Sequence, residues 1–182
     1  MYRIIFLLLL AFFFNNAFGQ MVDTSRRDLT TEELKLYDLI MEYRDSKRLA
    51  SIPISPSLCY VALLHARDLN ENPPKGRCNM HSWSKNGPWG KCCYTEDHAK
   101  SQCMWDKPRE LTSYPGYGYE IAFWSTDIEN MAEQALKGWK ESSHHNNVMI
   151  NKPPWRDHPW KAIGLAIVGN YAIVWFGEEE DL

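Results

Sequence analysis

The sequence predicts an α+β fold in which helices pack on a small, mostly antiparallel sheet. Three segments repeat apolar residues at the spacing of a helix. Near the C-terminus, two β-rich runs flank Gly169-Asn170, a pair typical of a tight hairpin turn. Both runs are apolar almost throughout, so both faces of the sheet should be covered, and the preceding helices can cover them.

Each predicted helix has an identifiable apolar face. Thr30 and Glu33 have the spacing of a capping box at the start of the first helix. The second helix carries His65 on its apolar face, and the third directs Ile128 and Trp139 toward the core. The three helices are expected, in chain order, at residues 30–47, 57–70 and 127–142.

Residues 72–117 show little periodicity and hold five of the ten prolines and four of the five cysteines. A loop of this length inside a compact domain is usually functional or cross-linked. In an exported protein we expect two disulfides here, among Cys78, Cys92, Cys93 and Cys103. Bonding between the two adjacent cysteines is strained, so each should pair with Cys78 or Cys103, in an order left open. Cys59 would remain a buried thiol.

A structural zinc ion is the alternative for the same segment. His81 and His98 add imidazoles to the four cysteines, which gives enough soft ligands. The spacing, Cys-x-x-His followed by an adjacent Cys-Cys pair, matches no zinc module, and export favours disulfides.

The N-terminus has the composition of a secretory signal. Arg3 precedes an apolar run over residues 4–14, too short to span a bilayer, and small residues follow as far as Gly19. We expect residues 1–19 to be the signal peptide, 20–29 to be flexible, 30–178 to form one domain and 179–182 to be an acidic tail. The mature chain should therefore be secreted, either extracellular or periplasmic.

The net charge is mild. It is −3 for the whole chain and becomes −4 once Arg3 is removed with the signal. Binding to nucleic acid needs clustered Lys and Arg, so we expect no nucleic-acid partner. No later apolar run is long enough to cross a membrane, so we expect no membrane span. We also expect a monomer.

Glu120 is the hardest polar residue to dismiss as a surface group. It stands in GYGYEIAFW, residues 116–124, among aromatic and small residues, and a buried carboxylate needs a partner. His81 in NMHSWS and His145 in GWKESSHHNN could supply one. Two imidazoles and a carboxylate form either a hydrogen-bonded structural cluster or a divalent-metal site.

Both histidine segments also have simpler interpretations. GWKESSHHNN could be a solvated helix end, and His81 a loop histidine bonded to a carbonyl. On a straight helix with Trp139 in the core, Glu141 and His145 point outward, whereas a turn after Ser142 would re-aim His145 and its neighbour. Spacing alone therefore does not select either His144 or His145 as a site residue.

In their order along the chain, these segments resemble the cysteine-rich secretory protein, antigen 5 and pathogenesis-related superfamily, known as CAP or SCP domains, in its bacterial form. Trp139, Ser142 and His145, followed by NNVM, resemble the signature Trp-x-x-Ser-x-x-His of that superfamily. GYEIAF resembles its Gly-Glu-Asn-Ile-Ala element, and NMHSWS its first His followed by Ser. LYDLIMEYR, SLCYVALLHARDL and IGLAIVGNYAIVWFG resemble its first two helices and closing hairpin, so the likeness covers about residues 32–177.

The resemblance implies a three-layer α-β-α sandwich with a solvent-filled cleft. Members often place two His and two Glu in the cleft, and some bind zinc or another divalent cation there. By position, His81 and His145 are the imidazoles and Glu120 is the first carboxylate. Ser142 occupies the position of the second carboxylate, as in many bacterial-type members, and Glu141 is the fallback. Zinc or another divalent cation is the only cofactor expected.

Two functions follow from this resemblance. The first is a secreted binding module whose cleft holds a small ligand, lipid or glycan, a divalent cation or an extracellular partner. The second is a metal-assisted, peptidase-like hydrolase in which His81, Glu120 and His145 hold an ion that activates water. The chain has no His-Glu-x-x-His pair, and its serines beside His144 lack a nucleophile elbow, so a serine-type site is a distant third.

Overall fold

The structure is a computed structural model that describes residues 28–181. The predicted signal peptide, residues 1–19, lies outside the described residues, as do 20–27 of the segment predicted to be flexible. A short 3-10 helix, Trp155–Asp157, precedes the final hairpin. The helices and strands are, in chain order, α1 (Thr31–Asp45), α2 (Pro56–Glu71), α3 (Gln102–Trp105), α4 (Lys107–Leu111), β1 (Gly118–Trp124), α5 (Met131–Glu141), α6 (Ser143–Met149), β2 (Ala162–Val168) and β3 (Tyr171–Gly177).

The described strands form one antiparallel sheet in the order β1-β3-β2. The predicted hairpin joins β2 to β3 through Gly169, whose φ of +54° favours glycine. Trp175 of the central strand pairs with Glu120 on one side and with Gly164 on the other. The strand β1, which carries Glu120, was not predicted, because its apolar residues do not alternate with polar ones.

Two apolar layers cover the two faces of the sheet. On one face α1, α5 and α6 pack over Ile121, Leu165 and Val174. On the other face α2 and the cross-linked loop pack over Ile173 and Trp175. These layers form the three-layer α-β-α sandwich that the family resemblance implied, so the predicted fold class is confirmed.

Glycine allows α2 to lie close to the sheet. A Cβ atom on Gly164 would lie 2.1 Å from the carbonyl carbon of Leu58, far inside van der Waals contact. The close approach lets α2 pack directly on β2 and brings His65, two turns further along the helix, over the sheet. The side chain of His65 is fully buried there.

The helix ends agree with the prediction in part. In α1 the capping box is present, since Thr30 accepts from the Glu33 amide and its own amide donates to Glu33 Oε2. In contrast, α5 begins at Met131, four residues later than expected, and Ile128 is 62% exposed instead of buried. At the other end of α5, Ser142 has an extended backbone and separates α5 from α6. This is the turn after the third helix that would re-aim His145, an alternative that spacing left open.

The segment 72–117 is mainly irregular, as predicted, but it contains the short helices α3 and α4, each too short to show a period in the sequence. Its disulfides are Cys78–Cys93 and Cys92–Cys103, so each adjacent cysteine bonds a different partner. Cys59 is a buried thiol on α2. Both parts of the cysteine prediction are confirmed, and the order of pairing is now fixed.

The acidic tail is held against the domain. Oδ2 of Asp181 accepts hydrogen bonds from the Ser55 hydroxyl at 2.6 Å and from the Ser57 amide at 2.9 Å, at the start of α2. Upstream of Asp181, the Glu179 carbonyl accepts the Tyr114 hydroxyl at 2.7 Å. None of the helices within residues 28–181 has the length and apolarity needed to cross a membrane.

Candidate functional site: a histidine-lined cavity

A cavity of about 530 Å³ lies beside β1, where the cross-linked loop meets α6. All six histidines of the chain lie in its described part, and five of them line this cavity. The sixth, His65, reaches the cavity wall through its contact with Glu120. The lining histidines are His81, His98, His144, His145 and His158. The rest of the lining is mostly apolar or aromatic, and includes Tyr94, Met104, Trp105, Tyr119, Val148, Pro154 and Trp155.

Glu120 lies between two imidazoles. Its side chain is fully buried, with Oε2 against Nδ1 of His65 and Oε1 2.7 Å from Nδ1 of His81. Burial disfavours the charged carboxylate, but the charge of His65 and the hydrogen bonds from both histidines outweigh burial. The pKa of Glu120 therefore lies below its ordinary value. The predicted buried carboxylate with imidazole partners is present.

His65 has an acceptor at each ring nitrogen. Its Nε2 lies 3.0 Å from the Ser82 carbonyl oxygen, which can only accept, so Nε2 carries a proton. Nδ1 faces the ionised Glu120, so it also donates, and the two residues form a buried ion pair. The ring of Trp83 stacks on His65 with centroids 4.3 Å apart and planes 7° from parallel. The imidazole is thereby held from three directions.

Sequence reasoning placed His65 on the apolar face of the second helix but not in the site. The signal that could have found it is the rule that a buried polar side chain needs a partner. Glu120 was assigned His81 and His145 as possible partners, whereas the carboxylate bonds His65 and His81. His145 shares the cavity with Glu120 without holding either of its oxygens.

His81 and His145 face each other at the cavity wall. Nδ1 of His81 donates to Glu120, which leaves Nε2 as the nitrogen available to a ligand. The ring centroid of His145 lies 6.5 Å from that of His81, with the planes at 61°. Burial, with repulsion from His81 and His144, lowers the pKa of His145 to about 4, so His145 is neutral at pH 7. The cavity thus presents neutral His145 beside His81, whose Nδ1 is held by Glu120.

Two more cavity histidines are anchored through Nδ1. Nδ1 of His98 lies 2.7 Å from the Tyr94 hydroxyl, and Nδ1 of His158 lies 3.0 Å from Oε1 of Glu178. The ring of His158 also contacts Trp155, with centroids 5.4 Å apart. Anchoring fixes the orientation of each ring and leaves its Nε2 for a ligand.

The remaining predicted residues lie outside this cavity. Glu141, the fallback carboxylate, is exposed and lines a separate surface hollow with Leu39 and Lys140. Ser142 lines another hollow, on the far side of His145. The structure therefore brings His81, Glu120 and His145 together and leaves Glu141 apart.

The donor atoms set limits on a divalent cation. Both Glu120 oxygens are engaged by imidazoles, so His81 and His145 are the direct ligands that this group could supply. Two imidazoles on one zinc ion, at about 2.0–2.1 Å, have centroids roughly 5 Å apart, so the two rings would have to approach. Across residues 28–181, no set of three or more His, Cys, Asp or Glu side chains is arranged to hold a metal ion. A cation at this position would have two histidine ligands, and Glu120 would orient His81 from behind.

A small antiparallel sheet between helical layers, with a disulfide-bonded loop and a His/Glu cavity beside the first strand, defines an SCP-type domain. The chain belongs to the CAP family, described as the cysteine-rich secretory protein family, whose sequence profile matches residues 37–153. The resemblance seen in the motifs is therefore confirmed. No curated protein sequence matches the chain.

Solved structures share the fold. An outer surface protein of Borrelia burgdorferi superimposes with a TM-score of 0.57 at 18% identity, over 85% of this chain and 97% of that one. An extracellular protein containing an SCP domain from Bacillus anthracis gives 0.56 at 14% identity, over 81% of this chain and 40% of that one. A cysteine-rich secretory protein from Staphylococcus aureus gives 0.51 at 16% identity, over 81% and 38%. At these identities the likeness establishes the fold alone.

Proposed function

We propose that this chain is an exported CAP-domain protein whose histidine-lined cavity binds a small ligand. The observation that carries the proposal is the composition of the cavity. Five imidazoles and four aromatic rings line a single hollow of about 530 Å³. Apolar walls with a few fixed polar groups are typical of small-molecule sites of that volume.

The polar groups of the cavity are positioned before any ligand arrives. Glu120 holds His81, Tyr94 holds His98 and Glu178 holds His158. Fixed side chains lose little conformational freedom on binding, which favours affinity. This supports a binding role over a merely structural one for the histidines.

Export is supported by three independent features. Two disulfides are stable in oxidising compartments, outside the cytosol. Residues 1–19 have the composition of a secretory signal. The structural relatives from Borrelia and Bacillus are described as outer-surface and extracellular proteins. We therefore place the mature protein outside the cell or in the periplasm.

The binding role can be tested on the exported, disulfide-bonded protein. Tryptophan fluorescence should respond to a ligand because Trp105 and Trp155 line the cavity. We would titrate panels of soluble glycans and lipids into the wild type, His145→Phe and Glu141→Gln. Binding that His145→Phe abolishes and Glu141→Gln preserves supports the proposal, since Glu141 lies in a separate hollow. Binding that both variants preserve rejects the cavity as the site.

A divalent cation is the second candidate ligand. The specific observation is the Glu120–His81 hydrogen bond, the arrangement by which carboxylates orient metal-binding histidines. Neutral His145 adds a second lone pair. A bound cation would act as a Lewis acid toward water or a carbonyl group. Calorimetric titration with Zn²⁺ should give binding that His81→Ala and His145→Ala remove and that His158→Ala retains.

The metal-assisted hydrolase is tested by the same protein. Peptide and ester panels are assayed before and after chelation, with His145→Ala as the control. Turnover that needs the cation and His145 supports the hydrolase. Zinc binding without turnover supports the binding module instead.

A further inference from the structure

A second hollow lies on the other side of His145. It has a volume of about 550 Å³, and its walls include Met80, Phe123 and Trp124. His145 lines both hollows, and Met80 directly precedes His81 in the chain. The two hollows therefore share His145 as a common wall, and a ligand that passes this side chain would contact both of them.

The walls of both hollows are free of accessible charge. In the part of the chain that the structure describes, neither hollow is lined by Lys, Arg or Asp. Glu120 is the one carboxylate in either lining, and both of its oxygens are bonded to imidazoles. A charged ligand would lose hydration there without gaining an ionic partner, which is unfavourable. The charge pattern selects an uncharged ligand.

The polar atoms in the first hollow favour a ligand with hydroxyl groups. Nδ1 of His81 is held by Glu120 and Nδ1 of His158 by Glu178, so the Nε2 atom of each ring is left to form a hydrogen bond with a hydroxyl group of a ligand. The neighbouring walls are aromatic, with Trp155 beside His158. A sugar ring presents hydroxyl donors at its edge and an apolar face, and it matches both features.

The second hollow continues this pattern with an aromatic surface. Trp124, at the end of β1, is 49% exposed, so one part of its indole is open to a ligand. Large half-exposed aromatic rings supply contact area at little conformational cost. Trp124 therefore offers a second sugar-binding surface beyond His145.

An extended peptide fits the same region less well. Peptides commonly bind beside an edge strand by pairing with its backbone, and β1 is an edge strand. At the second hollow, however, the Ala122 carbonyl already accepts the indole N–H of Trp139 at 3.2 Å. The backbone of β1 therefore offers one hydrogen-bond acceptor fewer at the position where a bound peptide would pair with it.

We propose that the two hollows form one cleft for a neutral oligosaccharide that runs past His145. One end would pack against Trp105 and Trp155, and the other against Trp124. This inference rests on the proposed function, because it assigns a ligand class to the same cavity and adds a subsite to it.

The test is a length series on the full exported protein. The probes are glucose and its β-1,4-linked oligomers, and N-acetylglucosamine and its β-1,4-linked oligomers, each from one to six units. Affinity should increase once the oligomer is longer than the first hollow. Trp124→Ala should weaken binding of the longest oligomer about tenfold and change that of the shortest bound oligomer less than twofold. Tyr117→Ala is the matched control, since Tyr117 is an exposed aromatic residue that lines neither hollow.

The possible failures are distinguishable. If Trp124→Ala leaves the affinity of the longest oligomer unchanged, the proposed second subsite is rejected, whereas the proposed binding site in the first cavity is unaffected. If neither series binds the wild type, or if neutral peptides bind with the same dependence on Trp124, the sugar assignment is overturned. The proposed function itself fails only if ligands are found and His145→Phe does not affect them. Trp124 is half-exposed, so its variant should fold, and circular dichroism checks that it does.

Discussion

Nδ1 of His81 lies 2.7 Å from Oε1 of Glu120, and this contact determines what the cavity offers a ligand. The carboxylate accepts from Nδ1–H of the ring, so Nε2 is the nitrogen left for a ligand. The other oxygen of Glu120 is held by His65, so one buried carboxylate organises two histidines. The ion pair with His65 also balances the charge of Glu120.

The protonation pattern can be measured directly by nitrogen NMR of histidine-labelled protein. At pH 7 we expect His81 to carry a proton on Nδ1, as a donor to Glu120, and His65 to carry protons on both nitrogens. Glu120→Gln should change both patterns, because an amide cannot accept from two N–H groups on separate atoms. Glu141→Gln, at an exposed position, should change neither. An Nδ1 atom of His81 that carries no proton in the wild type would contradict the proposed arrangement.

Removing His65 should destabilise the protein more than removing His81. His65→Ala leaves a buried carboxylate and the Ser82 carbonyl without their partner, and breaking a buried ion pair costs about 3–5 kcal/mol. The side chain of His81 is 17% exposed, so water can replace it beside Glu120. Urea unfolding at pH 7 measures both free energies. An equal or smaller loss for His65→Ala would argue against the ion pair.

Much of the fold could be predicted because its signals are local. The capping box at Thr30 and the turn at Gly169 depend on neighbouring residues alone. The strand β1 was missed because helices and loops cover both faces of the sheet. Its residues are therefore buried on both sides, and apolar and polar residues do not alternate along it. The three-layer arrangement was implied only by the resemblance to the family, because no local pattern in the sequence shows which face of a sheet a helix covers.

The candidate site was predictable only in part. His81, Glu120 and His145 were grouped through the motifs and do share one cavity. His65 was missed because its partner lies 55 residues later, and the packing of α2 on the sheet decides the contact. His158 was missed because it lies in a loop without periodicity. Contact between residues that are far apart in the chain depends on tertiary packing, which the spacing of residues in the sequence does not reveal.

Acid should weaken the native state through His145. Burial lowers its pKa from the ordinary 6.5 to about 4 in the folded protein. Between these values the unfolded chain binds a proton that the folded chain does not, so stability falls as pH decreases from 6.5 toward 4. Above pH 6.5 both states are neutral at this residue, and it contributes no pH dependence.

The contribution of His145 can be separated from that of other groups. The pKa of Glu120 is also lowered, so its protonation at low pH weakens the folded state in the wild type and the variant alike. His145→Gln removes one titrating group and should flatten the stability profile between pH 6.5 and 4. His144→Gln is the matched control at an exposed neighbour. If the free energy of unfolding depends on pH in the same way for the wild type and His145→Gln, the pKa of His145 is not lowered in the folded protein.

The two disulfides should contribute to both stability and binding. Cys78–Cys93 closes a loop with a sequence separation of 15 residues, for which the loop-entropy relation gives about 3 kcal/mol. His81 lies inside this loop, so the paired variant Cys78→Ser/Cys93→Ser should also weaken ligand binding. Urea unfolding and fluorescence titration measure the two effects.

The pairing itself can be mapped by proteolysis without reduction, followed by mass spectrometry. Peptides joined through Cys78 and Cys93, and through Cys92 and Cys103, are expected. Thiol titration of denatured, unreduced protein should find one thiol, from Cys59. Five thiols would contradict export to an oxidising compartment.

The acidic tail should stabilise the helix that carries His65. Asp181 accepts from the Ser55 hydroxyl and the Ser57 amide, so its carboxylate lies at the positive end of α2. Asp181→Ala removes this helix cap and should lower the free energy of unfolding by about 1 kcal/mol. Glu180→Ala changes the net charge equally at an exposed neighbour and serves as the control. Because the cap acts on the first turn of α2, amide hydrogen exchange should accelerate there first. Equal losses in the two variants would instead assign the effect to net charge.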